Sequence, residues 1–283
     1  MSGVGWPRLI ERAARLLAEA GVDSARVDAE LLAAHVSGLD RSRLLLAGVP
    51  APEKAAEFDA LVERRCRRVP LQHLTGWAPF RYGEIAVGPG VFVPRPETEL
   101  LVDWALERLP QGGLVIDACS GSGAIAHALA TERPDADVWA VEISPDAYEW
   151  MESNLEGTGA HPVLADALAD DTLAGFDGAV DLVVANPPYV PLEIEVAPEV
   201  GFDPAEAVYA AGSGLAVIQP LIARAARWLR PGGWLGFEHD DSHGRAAPGL
   251  LAVSGFIETA SHRDLAGRPR YSTGRRPPAG PGG

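Results

Sequence analysis

Leu114-Val115-Ile116-Asp117-Ala118-Cys119-Ser120-Gly121-Ser122-Gly123 is the stretch that decides the fold. An apolar run ends on a carboxylate, Asp117. A turn holding two glycines follows, and Ala124–Glu132 then repeats at helical spacing. Gly121 and Gly123 allow a tight turn and let a ligand approach the backbone closely. The start of the helix adds N–H groups that have no partner inside the helix. Strand, glycine turn and helix in this order predict one ligand-binding unit of an open α/β sheet.

The same alternation extends downstream. From Gly113 onward, Val138–Ile143, Val163–Asp166, Val180–Ala185 and Trp234–Glu238 are short apolar runs, and helical patterns such as Leu215–Leu229 separate most of them. A mainly parallel sheet is predicted. Upstream the character differs. No strand pattern interrupts Trp6 to Val69. Leu9, Ala13, Leu16, Leu17 and Ala20 share helical spacing, and Gly21 sits where a C-terminal cap belongs. Asp23 or Ser24 can cap a second helix that Gly38 stops. A short helix at Ser42–Ala47 and a longer one at Pro52–Arg68 complete a small helical domain. Phe80–Val87 places aromatic and β-branched residues around Gly83, as in a hairpin, and reads as a connector. Pro96 suits the first turn of a helix running to Leu109.

Composition narrows the function classes. A chain of 283 residues with 47% hydrophobic and 22% charged residues is long enough for a core or two, and no apolar run reaches membrane-span length. No signal peptide is expected. Two cysteines, Cys66 and Cys119, make a disulfide framework implausible and point to a reducing cytoplasm. A net charge of −15 is ill suited to coating a nucleic-acid backbone. Lys54 is the only lysine, a bias that fits a GC-rich genome, so the arginine count carries no functional signal.

Ligands of open α/β sheets lie beyond the carboxyl ends of the strands, near the switch point. Glu142 ends the second strand, about 20 residues beyond Gly123, where a carboxylate can accept both ribose hydroxyls. The same spacing serves dinucleotide enzymes, and Ala126 stands at the third glycine position of their fingerprint. Asp166 closes the third strand and can accept an adenine amino group, with the Ala167 backbone at the ring edge. Three strand ends thus carry groups that suit a nucleoside.

The fourth strand runs into Asn186-Pro187-Pro188-Tyr189. Two prolines fix φ and remove two N–H donors, and each residue before a proline is held extended. The stiff loop offers the Asn186 side-chain oxygen and the Pro187 carbonyl as acceptors, with Tyr189 as a flat face. That set matches a planar –NH2 group. An amide nitrogen is a poor nucleophile because its lone pair is delocalised. Two acceptors on its hydrogens favour charge growing on nitrogen and can turn the lone pair toward a sulfonium methyl. Orientation and preorganised electrostatics would then dominate methyl transfer, with no metal and no covalent intermediate.

At this point the chain resembles the release factor glutamine methyltransferases. The likeness rests on the tetrapeptide and, in the same order, on Pro70-Leu71-Gln72-His73-Leu74-Thr75-Gly76, Pro94-Arg95-Pro96-Glu97-Thr98-Glu99, the Asp117–Gly123 loop and Glu238-His239. It implies an α/β, Rossmann-like, seven-stranded methyltransferase sheet with a small all-α N-terminal domain and a β-hairpin connector. The expected divisions are a helical docking domain at 1–72, a hairpin linker at 73–93, a methyltransferase domain at 94–276 and a disordered tail at 277–283. The resemblance implies that Asp117, Cys119, Ser120, Gly121, Ser122, Gly123, Glu142, Asp166, Ala167 and Asn186 line an S-adenosylmethionine site that yields S-adenosylhomocysteine. It implies that Asn186, Pro187, Pro188 and Tyr189 hold the glutamine amide. The implied partner is a peptide chain release factor, met by a cytoplasmic monomer that needs neither membrane nor nucleic acid.

Two positions depart from the family pattern. Cys119 replaces the usual first glycine of the loop, and Phe202-Asp203-Pro204 stands where the family often has an acidic residue and proline before an Ala-Leu pair. Other features read as structural: Arg64–Arg68 as a solvated helix end, and Glu238, His239, Asp240, Asp241 and His243 as a strand end and not a metal site. Cys119 has no identifiable base, and Ser120 and Ser122 lack a nucleophile elbow. Three other functions share parts of this pattern: glutamine methylation of a ribosomal protein, adenine-N6 methylation of DNA, which must flip its base, and a binding module without activity.

Overall fold

A computed structural model describes residues 4–280 apart from 192, 195 and 213. Two compact units are present. One comprises the chain up to Trp77 together with Val196–Phe202, the other Ala78–Glu195 and the chain from Asp203 onward.

The first unit is helical, with α1 (Trp6–Glu19), α2 (Ala25–Ser37), α3 (Pro52–Cys66), α4 (Leu71–Thr75) and a 3-10 turn at Arg41–Leu46. Gly38 stops α2 at φ 71°, a left-handed conformation that costs glycine little. Ile10, Leu17, Leu32 and Phe58 are fully buried, and Trp6 meets Phe58 edge to face at 5.6 Å. The arginine run departs from its expected role. Arg65 is buried, with Nε 2.7 Å from Asp28 and Nη1 2.9 Å from Glu199, and Arg68 also pairs with Glu199. Two of the five residues are therefore internal ties, because a helix end that meets a returning segment finds its acids inside the unit. Arg65→Ala would leave the buried Asp28 without its guanidinium, while Glu199 keeps Arg68, and is expected to cost about 3–5 kcal/mol. Chemical denaturation reads this, and an unchanged midpoint would remove the tie from the account. Partial burial alone would raise the Glu199 carboxyl, but the hydrogen bonds from Arg68 and Arg65 prevail and hold it at about 2. The stability it contributes is present above the usual carboxylate value of 4.5 and is lost as pH falls toward 2.

The second unit is built on a seven-stranded sheet. Its strands are β3 (Leu114–Ala118), β4 (Asp137–Glu142), β5 (His161–Leu164), β6 (Val180–Ala185), β9 (Leu229–Glu238), β10 (Ile257–Arg263) and β11 (Pro269–Arg275), in the order β10-β11-β9-β6-β3-β4-β5. The five strands from β9 to β5 run parallel, and β11 is antiparallel to both of its neighbours. α5 (Glu99–Arg108) precedes them, and between them come α6 (Ala124–Glu132), α7 (Pro145–Leu155), α8 (Ala205–Val208), α9 (Ile218–Trp228) and α10 (Ala246–Val253). Both faces of the sheet are covered, which is why its strands read as continuous apolar runs. Val115, Leu182 and Val184 enter one core with α5 and α6. Ile116, Val183 and Ala185 enter the other with α9.

Some sequence boundaries shift. The third strand was expected to reach Asp166 but ends at Leu164, so Asp166 stands two residues beyond it. The hairpin β1 (Trp77–Phe80) and β2 (Gly83–Ala86) was read as a connector. Ala78, Phe80, Ile85, Val87, Val91 and Val93 are instead buried in the core of the second unit. The reason is the hydrophobic effect: this much apolar surface cannot remain in a solvated linker. Residues 277–280 form no regular element, and the rest of the expected tail, 281–283, lies outside the described residues.

Candidate active site

The strand order defines the site. From β3 the chain moves outward to β4 and β5, then returns to place β6 on the other side of β3. The switch point lies between β3 and β6. It is flanked by the loop after Ala118 and the loop after Ala185, which are register partners at the ends of adjacent parallel strands.

The first loop is shaped by left-handed residues, with φ 61° at Cys119, 57° at Gly121 and 80° at Gly123. Glycine takes this conformation freely, whereas at Cys119 it costs about 1–2 kcal/mol. Asp117 stabilises the turn from beneath: Oδ2 accepts from the Ser120 hydroxyl and, at 3.1 Å, from the Ala126 N–H. Glu142 stabilises it from the side, with Oε2 accepting the Gly121 N–H at 2.7 Å and Oε1 the Ser144 N–H at 2.8 Å. Asn154 on α7 donates to the Ser122 carbonyl and to the Ala86 carbonyl, both at 2.9 Å. The Cys119 thiol is pushed above its usual range by burial first, and then by the charges of Glu142, Asp117 and Asp166. The thiol stays protonated, and the loop and the carboxylates of Asp117, Glu142 and Asp166 lie near one another. Asp166 is exposed and its Oδ1 accepts the Leu168 N–H at 2.8 Å, while Ala167 is buried.

These groups fit S-adenosylmethionine. Asp117 is fully buried, yet its Oδ1 has no hydrogen-bond partner among the described residues. Burial pushes this carboxyl up to about 7 despite the Ser120 and Ala126 hydrogen bonds. An ammonium group, as at the amino-acid end of S-adenosylmethionine, would supply the missing donor and favour the ionised form. Glu142 retains free lone pairs on both oxygens for ribose hydroxyls.

The second loop holds Asn186-Pro187-Pro188-Tyr189. Asn186 is half-buried, and its Nδ2 lies 3.4 Å from Thr98 Oγ1. Among the described residues nothing donates to Asn186 Oδ1 or to the Pro187 carbonyl. The Tyr189 hydroxyl donates to Glu238 Oε1 at 2.9 Å. Burial, followed by the Glu238 charge, raises this phenol well above its ordinary value, so it stays neutral. Thr98 donates to the other oxygen of Glu238 at 2.6 Å. Beyond Tyr189 the loop is fixed by β7 (Val190–Pro191), which pairs with β8 (Tyr209–Ala210). Gly214, at φ 82°, packs so closely that an added Cβ would lie 2.2 Å from the Tyr189 carbonyl oxygen.

Several of these residues had no assigned role in the sequence. Thr98 and Glu238 lie in stretches recognised by resemblance, but their spacing gave no reason to pair them. Asn154, Gly214 and Arg270, whose charge Tyr189 and Glu238 feel, left no local signal. In the Phe202-Asp203-Pro204 stretch that departs from the family pattern, Asp203 is buried, with Oδ2 2.6 Å from Arg95 and Oδ1 accepting the Val93 N–H. His239 is fully buried, with its ring nitrogens 2.8 Å from Asp240 O and Ser272 Oγ, a structural arrangement.

Comparison with known proteins places these features in context. The PrmC N-terminal domain family matches residues 8–76 and the methyltransferase small domain family residues 85–199. The release factor glutamine methyltransferase of Mycolicibacterium smegmatis is 49% identical over 94% of this chain and 96% of its own. That of Streptomyces coelicolor is 46% identical over 94% and 96%. Among solved structures, the hMettl16 catalytic domain bound to an RNA hairpin superposes with a TM-score of 0.54 at 14% identity, covering 81% of this chain and 83% of that one, a likeness of fold. No helix among the described residues is long and apolar enough to cross a membrane.

Proposed function

The chain belongs to the family of release factor glutamine methyltransferases, and from that premise we propose that it moves a methyl group from S-adenosylmethionine to the side-chain amide nitrogen (N5) of the glutamine in the Gly-Gly-Gln motif of peptide chain release factors. The observation that carries the chemistry is the position of Asn186–Tyr189. This stiff loop with two unengaged acceptors lies at the switch point, one strand away from a glycine loop ringed by carboxylates.

Each residue has a role in this reading. Asp117 takes the amino-acid end of the cofactor, Cys119–Gly123 lie against it with their backbone, and Glu142 takes the ribose. Asp166 and the Ala167 backbone take the adenine. The bound cofactor supplies an electrophilic methyl on a sulfonium, and S-adenosylhomocysteine is the product. Asn186 Oδ1 and Pro187 O accept the two N–H groups of the glutamine amide. They orient its lone pair and stabilise the charge that grows on nitrogen. Pro187 and Pro188 keep the loop from relaxing around the substrate. Tyr189, anchored through its hydroxyl, presents its ring to the plane of the amide. We assign release-factor docking to the helical unit, whose 3-10 turn leaves Leu45 and Leu46 largely exposed. We assign the protein to the cytoplasm as a monomer, the two free cysteines fitting a reducing compartment. The net charge of −15 argues against a nucleic-acid partner.

Incubation of a purified release factor with this protein and labelled cofactor, followed by peptide mass spectrometry, is expected to place one methyl group on the Gly-Gly-Gln glutamine. Label on a ribosomal protein or on DNA, with none on the release factor, would overturn the assignment. Glu142→Ala is expected to weaken cofactor binding by roughly 10-fold or more, since it removes a charged acceptor and the partner of the Gly121 N–H. Unchanged affinity by calorimetry would take Glu142 out of the ribose site.

A further inference from the structure

We propose that Thr98 and Glu238 are positioning residues that set which way round the Asn186 amide faces. Asn186 Nδ2 lies 3.4 Å from Thr98 Oγ1, Thr98 Oγ1 lies 2.6 Å from Glu238 Oε2, and the Tyr189 hydroxyl lies 2.9 Å from Glu238 Oε1. Thr98 is 3% exposed and Glu238 1%, so water does not compete with these bonds.

The inventory of donors and acceptors settles the direction of each bond. An ionised carboxylate can only accept, and a hydroxyl has one proton. With Glu238 ionised, Thr98 and Tyr189 both give their protons to it. Burial raises the Glu238 carboxyl above its ordinary value and Glu97 adds to this, while these two hydrogen bonds and the Arg270 guanidinium offset only part of it. Thr98 then has only lone pairs to offer on its other side. Of the two ends of the Asn186 amide, only –NH2 can bond to it. Asn186 Oδ1 is turned away from Thr98 and left as an acceptor.

This matters because a side-chain amide is nearly symmetric in shape, and packing alone scarcely distinguishes its two orientations. A flipped Asn186 would present –NH2 to the substrate's own –NH2, two donors facing each other. The relay from Glu238 through Thr98 excludes that state. It also explains why one carboxylate anchors both ends of the tetrapeptide. Tyr189 is held directly and Asn186 through Thr98, so ring and acceptor are fixed relative to one another.

The inference rests on Asn186 accepting the substrate amide, and the test separates the two. Thr98→Val removes the hydroxyl while nearly preserving shape, and Thr98→Ser keeps it. Steady-state kinetics on a release factor would compare both with the parent, and Asn186→Ala with Asn186→Ala/Thr98→Val. Thr98→Val is expected to lower kcat roughly 10- to 100-fold, with cofactor Kd unchanged and Tm lowered because Glu238 loses a buried donor. Thr98→Ser is expected to restore most of the rate, and Thr98→Val to add nothing once Asn186 is gone. Parent-like kcat in Thr98→Val, or an undiminished loss in the Asn186→Ala background, would overturn the relay while leaving the amide clamp standing. Parent-like kcat in Asn186→Ala would overturn both. Should Thr98→Val not fold, Thr98→Ala is read by the same criteria.

Discussion

Asn186→Ala is expected to abolish nearly all turnover while cofactor affinity stays close to that of the parent. In the proposed clamp the side chain contributes one of two acceptors for the substrate amide, and that contribution grows as charge develops on nitrogen. Removal of a single preorganised polar group of this kind costs about 3 kcal/mol in the transition state, a fall in kcat on the order of 10²–10³-fold. In the proposed arrangement the cofactor is gripped elsewhere, by Asp117, Glu142 and the backbone of the glycine loop. Calorimetry with S-adenosylhomocysteine should therefore give Kd values within a few-fold of each other. A variant that turned over at the parent rate would show that the amide is held by other groups. A variant that lost cofactor binding in proportion to turnover would make Asn186 a cofactor ligand and not a clamp.

Gly214→Ala is expected to inactivate the protein through the backbone of the catalytic loop. The added Cβ would meet the Tyr189 carbonyl oxygen at 2.2 Å and His243 Cε1 at 2.9 Å, and the φ of 82° already disfavours any side chain. A carbonyl belonging to a proline-stiffened loop has little room to retreat, so the shift passes to Tyr189 and its neighbours. Displacement of reacting groups by about 1 Å can cost 100-fold in rate. Gly212 provides the control, because it has φ 63° and nothing within 4 Å of an added Cβ. Gly212→Ala pays the left-handed strain of about 1–2 kcal/mol and should keep its kcat. Equal kcat values in the two variants would show that the Gly214 contact does not govern the loop.

The two variants differ in what the sequence disclosed. Asn186 could be singled out because two prolines beside an amide at a strand end are an unusual local arrangement with a direct chemical reading. Gly214 could not. The chain has 31 glycines, and only the approach of the Tyr189 carbonyl, from a loop more than twenty residues earlier, gives this one its role. The error at β5 has a related origin. Asp166 was read as ending a strand because the apolar run leads up to it. The sheet ends two residues sooner, where Glu142 pairs with Leu164 and β4 has no more backbone to offer. β10 and β11 went unread from their residues because an antiparallel edge pair with a polar face carries a weaker apolar signal than a buried parallel strand.

What the amino-acid sequence determined on its own was whatever depends on neighbours in the chain: the helices of the first unit, the buried strands β3, β4, β6 and β9, the left-handed turn at Gly121 and Gly123, and the stiffness of Asn186–Tyr189. These follow from side-chain periodicity and from the dihedral limits of glycine and proline, which act over a few residues. Only the tertiary structure decided that the hairpin joins the core and that Arg65 closes an internal ion pair. It also decided that Thr98, Tyr189 and Glu238 form one hydrogen-bonded unit with Asn186. Those outcomes depend on which donors meet which acceptors after distant segments pack. Burial withdraws the water that would otherwise satisfy them, so each must find its partner across the fold.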